Sequence, residues 1–200
     1  MFKVIFKTAI KTLLIVAVVA LVAFGVASLG FPSEMAGLCE KTGNYSMATG
    51  YASLSYTYSK DVNDLNRCFT DSVSAGNDSD IVKFGGQLIA DEKFAEVCEK
   101  TESTIAVDYK QYAYGHVSAA QYRRGKKDEA FETATKAMDG VPNFTKNNAL
   151  SLLSIQVLQS EDKDMAGKLL TEVKKLAPTE DAAAYYGKLV DELTKVSGQE

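Results

Sequence analysis

The stretch GKKDEAFETATKAMDGVPN, residues 125–143, decides the reading of this chain, because EDKDMAGKLLTEVKKLAPTE, residues 161–180, repeats its pattern in the same order. At an offset of 36, Ala130 falls on Ala166, Ala137 on Val173 and Pro142 on Pro178. Each stretch follows an apolar segment of helical spacing. A helix pair that ends in Pro and recurs at a fixed period predicts an α-solenoid, since one pair cannot bury its own apolar face and a neighbour must cover it. Leu150, Leu153, Val157, Leu169, Leu170, Val173 and Leu176 recur at helical spacing and are the expected seam. Small side chains at Ala130 and Ala137 would let two helix axes approach to about 8–10 Å.

Toward the N-terminus the repetition continues in a different register. MAGLCEKT (residues 35–42) is echoed by FAEVCEKT (residues 94–101), and DLNRCFTDSV (residues 64–73), between them, has the same apolar spacing. Cys39, Cys68 and Cys98 are therefore almost evenly spaced, which reads as equivalent places on successive second helices. End units lack one neighbour and are expected to be degenerate.

The pattern predicts helices over residues 32–42, 45–60, 62–75, 79–90, 91–101, 109–124, 127–139, 143–160, 162–176 and 179–196. Asp61 and Thr179 are the expected caps of their helices. Gly43-Asn44 and Gly76-Asn77-Asp78 read as turns, and residues 102–108 as a connection. No run combines β-branched enrichment with strict alternation, so the predicted class is all-α without strands.

The unit over residues 111–178 resembles a tetratricopeptide (TPR) repeat. Ala130, Ala137 and Pro142 supply the family's two small residues and its exit Pro, and Gly125 sits in the turn, where φ > 0 suits glycine. The second copy departs from the pattern, with Val173 for the second small residue and Glu161 for the turn glycine. The first helices depart further: Tyr114 and Leu150 stand where the family often has Trp, Ser118 and Ser154 for its Gly, and Gln121 for a Tyr. The resemblance implies a concave groove lined by first helices. By that resemblance the groove set is Tyr112, Gly115, Ala119, Tyr122 and Arg123, then Asn148, Ser151, Ile155 and Gln159. The Lys and Asn set with which some TPR domains grip a C-terminal carboxylate is missing, so that role is not implied.

Residues 12–33 carry no charge, and LLIVAVVALVAFGVASLGF is almost wholly apolar. Roughly 20 such residues span a bilayer core. Lys3, Lys7 and Lys11 precede the run and no acid appears before Glu34, an asymmetry that predicts a cytoplasmic N-terminus. The expected organisation is a basic cytoplasmic segment (1–11), a transmembrane signal anchor (12–31) and an extracytoplasmic TPR-like domain (32–200). A cleaved signal, cut at the small residues Val26-Ala27-Ser28, is the competing reading. The run is long for a signal h-region of about 7–15 residues, which favours the anchor.

Up to Gly30 the sequence holds three of its 22 basic residues and none of its 26 acids, so the remainder carries 19 − 26 = −7. That balance argues against nucleic acid as a partner, because phosphate binding needs a basic face. The three cysteines show no CxxC spacing, which leaves zinc and thioredoxin-type chemistry unsupported. Each reads as a small apolar residue between helices, with one disulfide between neighbouring units as the alternative.

No catalytic constellation emerges. His116 stands alone inside a helix and lacks metal-ligand company. GxSxG, P-loop and GxGxxG patterns are absent from the sequence, and Gly85-Gly86 reads as a loosened helix or a close packing contact. No enzyme activity, cofactor or metal is expected. The basic run Arg123-Arg124-Gly125-Lys126-Lys127 reads first as a solvated turn and second as a hook for an acidic tail. Asn44, Asn77 and Asn143 head Asn-x-Ser/Thr sequons in expected loops. Ten tyrosines, most on first helices, offer apolar area with a polar tip, a frequent choice at recognition surfaces. The reading is a membrane-tethered scaffold that binds a protein or peptide partner. A structural subunit of a larger membrane complex and a secreted repeat protein are the alternatives.

Overall fold

The structure, a computed structural model, describes residues 2–105 and 108–199, without the side chains of residues 2–11, 23–24 and 104–105. The first helix, α1 (Phe2–Gly30), is followed after the single residue Phe31 by α2 (Pro32–Lys41). Pro32 occupies the first turn of α2, where its missing N–H costs nothing. The stretch Thr12–Gly30 has a mean hydropathy of 2.7 and none of its described side chains is buried, so α1 is long and apolar enough to cross a membrane.

Helix α3 (Tyr45–Ser59) starts under an Asn44 side chain that accepts from the Met47 N–H, and α4 (Val62–Ala75) starts under Asp61, which accepts from Asn63 as predicted. Arg67 on α4 brackets α2: its Nε donates to Glu40 Oε1 at 2.5 Å and its Nη1 to the Ser33 carbonyl at 2.8 Å. Beyond Asn77, residues 78–90 form one continuous helix in three parts, α5 (Asp78–Asp80), a π-helical turn (Ile81–Gly85) and α6 (Gly86–Ala90). A Cβ on Gly85 would lie 2.4 Å from Val117 Cγ2 and 2.9 Å from the Phe69 ring, so the close-contact reading of this glycine holds. Helix α7 (Phe94–Ile105) starts later and runs longer than expected; Asp91 holds a turn ahead of it by accepting from the Lys93 N–H at 2.9 Å.

The C-terminal half consists of α8 (Tyr109–Arg123), α9 (Lys127–Ala137), α10 (Ala149–Ser160), α11 (Lys163–Val173) and α12 (Ala183–Ser197). The starts of α9 and α11, at Lys127 and Lys163, and their ends, at Ala137 and Val173, both keep the sequence offset. Ala130, Ala166, Ala137 and Val173 are each 0% exposed. Gly125 and Glu161, the two turn residues, both have positive φ, at 80° and 52°. Helix α8 packs on both α9 and α10, and α11 packs on α12. The described residues are all-α apart from one two-residue parallel bridge, β1 (Asn143–Phe144) with β2 (Ala177–Pro178).

That bridge corrects two expectations. Helix α10 begins at Ala149 rather than 143, because Phe144 turns inward to full burial between Tyr185 and Tyr186, and Asn148 caps the helix instead. Thr179 caps nothing; its N–H and hydroxyl both donate to the Phe144 carbonyl, fixing the two exit loops together.

Two apolar cores share α8. Tyr109, Ala113, Val117 and Ala120 face the first, built on Leu65, Phe69, Ile81 and Leu88; Tyr114 and Tyr122 face the second, which holds the predicted seam. Leu150, Leu153, Val157, Leu169, Leu170 and Val173 are all buried there, with Leu176 partly so. Cys39, Cys68 and Cys98 are free thiols, and burial pushes the Cys68 thiol up to about 12.

Candidate partner-binding surface

The nine residues expected to line a groove fall into three environments. The first is the joint between α8 and α10. A Cβ on Gly115 would lie 2.4 Å from Leu152 Cδ1 and 3.3 Å from Ala149 Cα, so Gly115 exists to let α10 close on α8. Ala119 is buried. Asn148 is buried and caps α10, its Oδ1 accepting from the Ser151 N–H at 2.8 Å. Ser151 is buried too, and its hydroxyl donates to the Lys146 carbonyl at 2.7 Å. These four residues hold the fold and offer no side chain to a partner.

The second environment is an aromatic cluster on α8. Tyr112 is half-buried, stacked on Tyr109 at 5.5 Å, and its ring centroid lies 4.4 Å from that of His116. Burial, with help from Arg123, holds the His116 imidazole below its ordinary value, so it is neutral at pH 7. His116 is thus a half-buried histidine packed on Tyr112.

The third environment is a cleft of about 560 Å³ between the C-terminal ends of α8 and α10. Tyr122, Arg123 and Gln159 line it, together with Lys127, Gln156, Ser160 and Asp162. Tyr122 is only 7% exposed. Its hydroxyl lies 2.6 Å from Ser160 Oγ and donates to Asp162 Oδ2 at 3.0 Å. Asp162 also caps α11 through the Met165 N–H and pairs with Lys127 at 2.7 Å. Burial would raise the Asp162 carboxyl, but Lys127, the Met165 N–H and the Tyr122 hydroxyl outweigh it and hold the group below the ordinary carboxylate value. Arg123 is exposed and grips Asp78 through Nε and Nη2, at 2.5–3.0 Å. Ile155, 38% exposed, stands one turn before Gln159 on the same side of α10.

The basic run at 123–127 is thus largely paired: Arg123 with Asp78, Lys126 with Glu129 and Lys127 with Asp162. Among the described residues no group of three or more His, Cys, Asp or Glu side chains could hold a metal ion. A larger recess of about 760 Å³ is lined by Phe94, Cys98, Glu99, Glu102, Asp108 and Tyr114, among others.

Gln111 is the residue that sequence reasoning missed. It is 2% exposed, its Nε2 donates to the Ala137 carbonyl at 2.8 Å, and its Oε1 accepts from the Ala149 N–H at 3.0 Å. One amide therefore satisfies the end of α9 and the start of α10 together. A lone Gln in the first turn of a helix carries no signal for this in the sequence.

Comparison with known proteins finds no matching family model, no matching curated protein and no matching solved structure.

Proposed function

We propose that the chain is a membrane-tethered, TPR-like α-solenoid scaffold that holds a protein or peptide partner outside the cytoplasm and assists assembly or secretion there. The observation that carries this reading is the recurring joint, with Ala130 and Ala166 fully buried and Gly125 and Glu161 in the same left-handed turn. Stacked pairs of this kind leave an extended face made of first helices, which suits an elongated partner. Tethering is supported by the unburied apolar stretch Thr12–Gly30, and the orientation by Lys3, Lys7 and Lys11 at one end only.

Binding is non-covalent. Ile155 offers an exposed apolar contact, and Gln156 and Gln159 offer amide donors and acceptors beside the cleft. An extended peptide could lay an apolar side chain on Ile155 while its backbone bonds the glutamines. The test is Ile155→Asp with Gln159→Ala, assayed by partner recovery from native membranes in mild detergent. Both sites are exposed, so the melting temperature should hold while partner recovery falls. Undiminished recovery would move binding away from α10. It would favour the second reading, a subunit of a larger complex, for which the exposed apolar side chains of α1 offer a packing surface.

A further inference from the structure

The edge formed by α2 and α3 carries features that a partner groove on α10 does not use. Among the described residues, the large apolar side chains exposed outside α1 are Phe31 at 59%, Leu38 at 56%, Met47 at 45%, Tyr58 at 64% and Ile155 at 38%. All but Ile155 fall between Phe31 and Tyr58, directly after α1. Phe31 is the exposed residue that leads into α2, and Leu38 is exposed on α2 itself. Met47, Tyr51 and Tyr58 share one side of α3 at spacings of four and seven.

Charge is missing from the same region. No Asp, Glu, Lys or Arg occurs between Lys41 and Lys60, although the chain beyond Gly30 carries 19 − 26 = −7. A water-facing helix normally presents charged residues on its outer side. Helix α3 presents Met, Ser, Thr and Tyr instead. Tyr pairs an apolar ring with a polar tip and is enriched where a membrane meets water.

Position supplies the occupant. Only Phe31 separates α1 from α2, so there is no linker to carry α2 away from the end of α1. The Ser28 hydroxyl lies 3.0 Å from the Tyr51 hydroxyl, which ties the last turn of α1 to the middle of α3. Met47 is one helical turn from Tyr51, roughly 6 Å along the axis. The opposite sides of both helices are spoken for: Ala36, Cys39, Ala48 and Ala52 are buried, and Arg67 brackets α2 from α4. The apolar edge is therefore held outward, continuous with the apolar surface of α1.

We propose that this edge lies on the lipid bilayer, with Phe31, Leu38 and Met47 inserted at headgroup depth and the α3 tyrosines beside them. The proposal rests on the reading of α1 as a membrane span. Insertion is apolar rather than electrostatic: the exposed charges of α2, Glu34 and Lys41, are opposite in sign. Such binding depends on buried apolar area and should be insensitive to salt.

The chain contains no tryptophan, so a single introduced one reports alone. Four full-length variants, Val18→Trp, Leu38→Trp, Met47→Trp and Ile155→Trp, would be reconstituted in phosphatidylcholine vesicles with and without brominated acyl chains. The expected result is a blue shift and loss of emission to bromolipid for the first three, unchanged by added salt, and no loss for Ile155→Trp. Loss at Val18→Trp without loss at Leu38→Trp and Met47→Trp would overturn the proposal and leave the span standing. No loss at any of the four would overturn both. Leu38→Trp and Met47→Trp shielded from aqueous iodide yet untouched by bromolipid would place a second copy of the chain on this edge, and would also overturn it.

Discussion

Replacing Asp71 with Asn should change how stability depends on pH. Asp71 sits on α4 at 4% exposure, and its Oδ2 has no hydrogen-bond partner. The nearby cation, Arg67, is already engaged by Glu40 and the Ser33 backbone. Burial, then the Glu40 carboxylate, raise the Asp71 carboxyl from 3.8 to about 7, with Arg67 opposing. The folded protein therefore keeps this proton at pH values where the unfolded chain has released it. Stability from this group is fully present below about pH 4 and is lost as pH rises through about 7. One proton changes stability by about 1.4 kcal/mol per pH unit, so a gap of about three units amounts to on the order of 4 kcal/mol. Asp61, Asp128 and Asp162 are held below the ordinary carboxylate value, so their opposing slopes fall at lower pH. Asp71→Asn is neutral at every pH. It should match the wild type near pH 3 and exceed it near pH 8, by up to the same ~4 kcal/mol. Urea unfolding of the full chain in detergent, followed by circular dichroism across that range, reads the difference. His116, held below its ordinary value, adds a slope of opposite sign that wild type and variant share, so the difference between the two carries the test; an Asn variant shifted equally at both ends would refute the reasoning.

Other perturbations test the joints. Gln111→Ala leaves the Ala137 carbonyl and the Ala149 N–H buried and unpaired, and should lower stability by about 1–3 kcal/mol in denaturant titration. Gly115→Ala gains helix propensity but drives a methyl against Ala149 and Leu152; a net loss of about 1 kcal/mol is expected, and a gain would mean that α10 does not close on α8. Ala130→Leu overpacks a fully buried site and should cost about 1–3 kcal/mol in a thermal melt. Alkaline washing of membranes should leave the full chain in the pellet, whereas a soluble form beginning near Leu29 would establish signal cleavage instead.

The helical class and the recurring joint were legible because they rest on short-range patterning. Ala130, Ala166, Gly125 and the seam leucines declare themselves by size, spacing and φ preference. The candidate surface was less legible. Gly115, Ala119, Asn148 and Ser151 occupy groove positions by resemblance, yet each is buried, because α10 closes on α8 through the space that Gly115 leaves. How near two first helices approach is a tertiary property that no single helix encodes. The Phe144 bridge was hidden for a similar reason: so short a segment makes no strand pattern, and its partner at Ala177–Pro178 lies beyond α10 and α11. The Arg123–Asp78 pair joins positions far apart in the chain and could not be inferred from either local context.

The most direct test of the scaffold account is site-specific photo-crosslinking from the full chain in native membranes. A photoreactive side chain would replace Ile155 or Gln159, with Lys174, exposed near the C-terminal end of α11, as the comparison. The account predicts that both α10 positions yield the same discrete protein adduct and that Lys174 yields none. Adducts from Lys174 alone, or none from either α10 position in membranes that retain the chain, would contradict it.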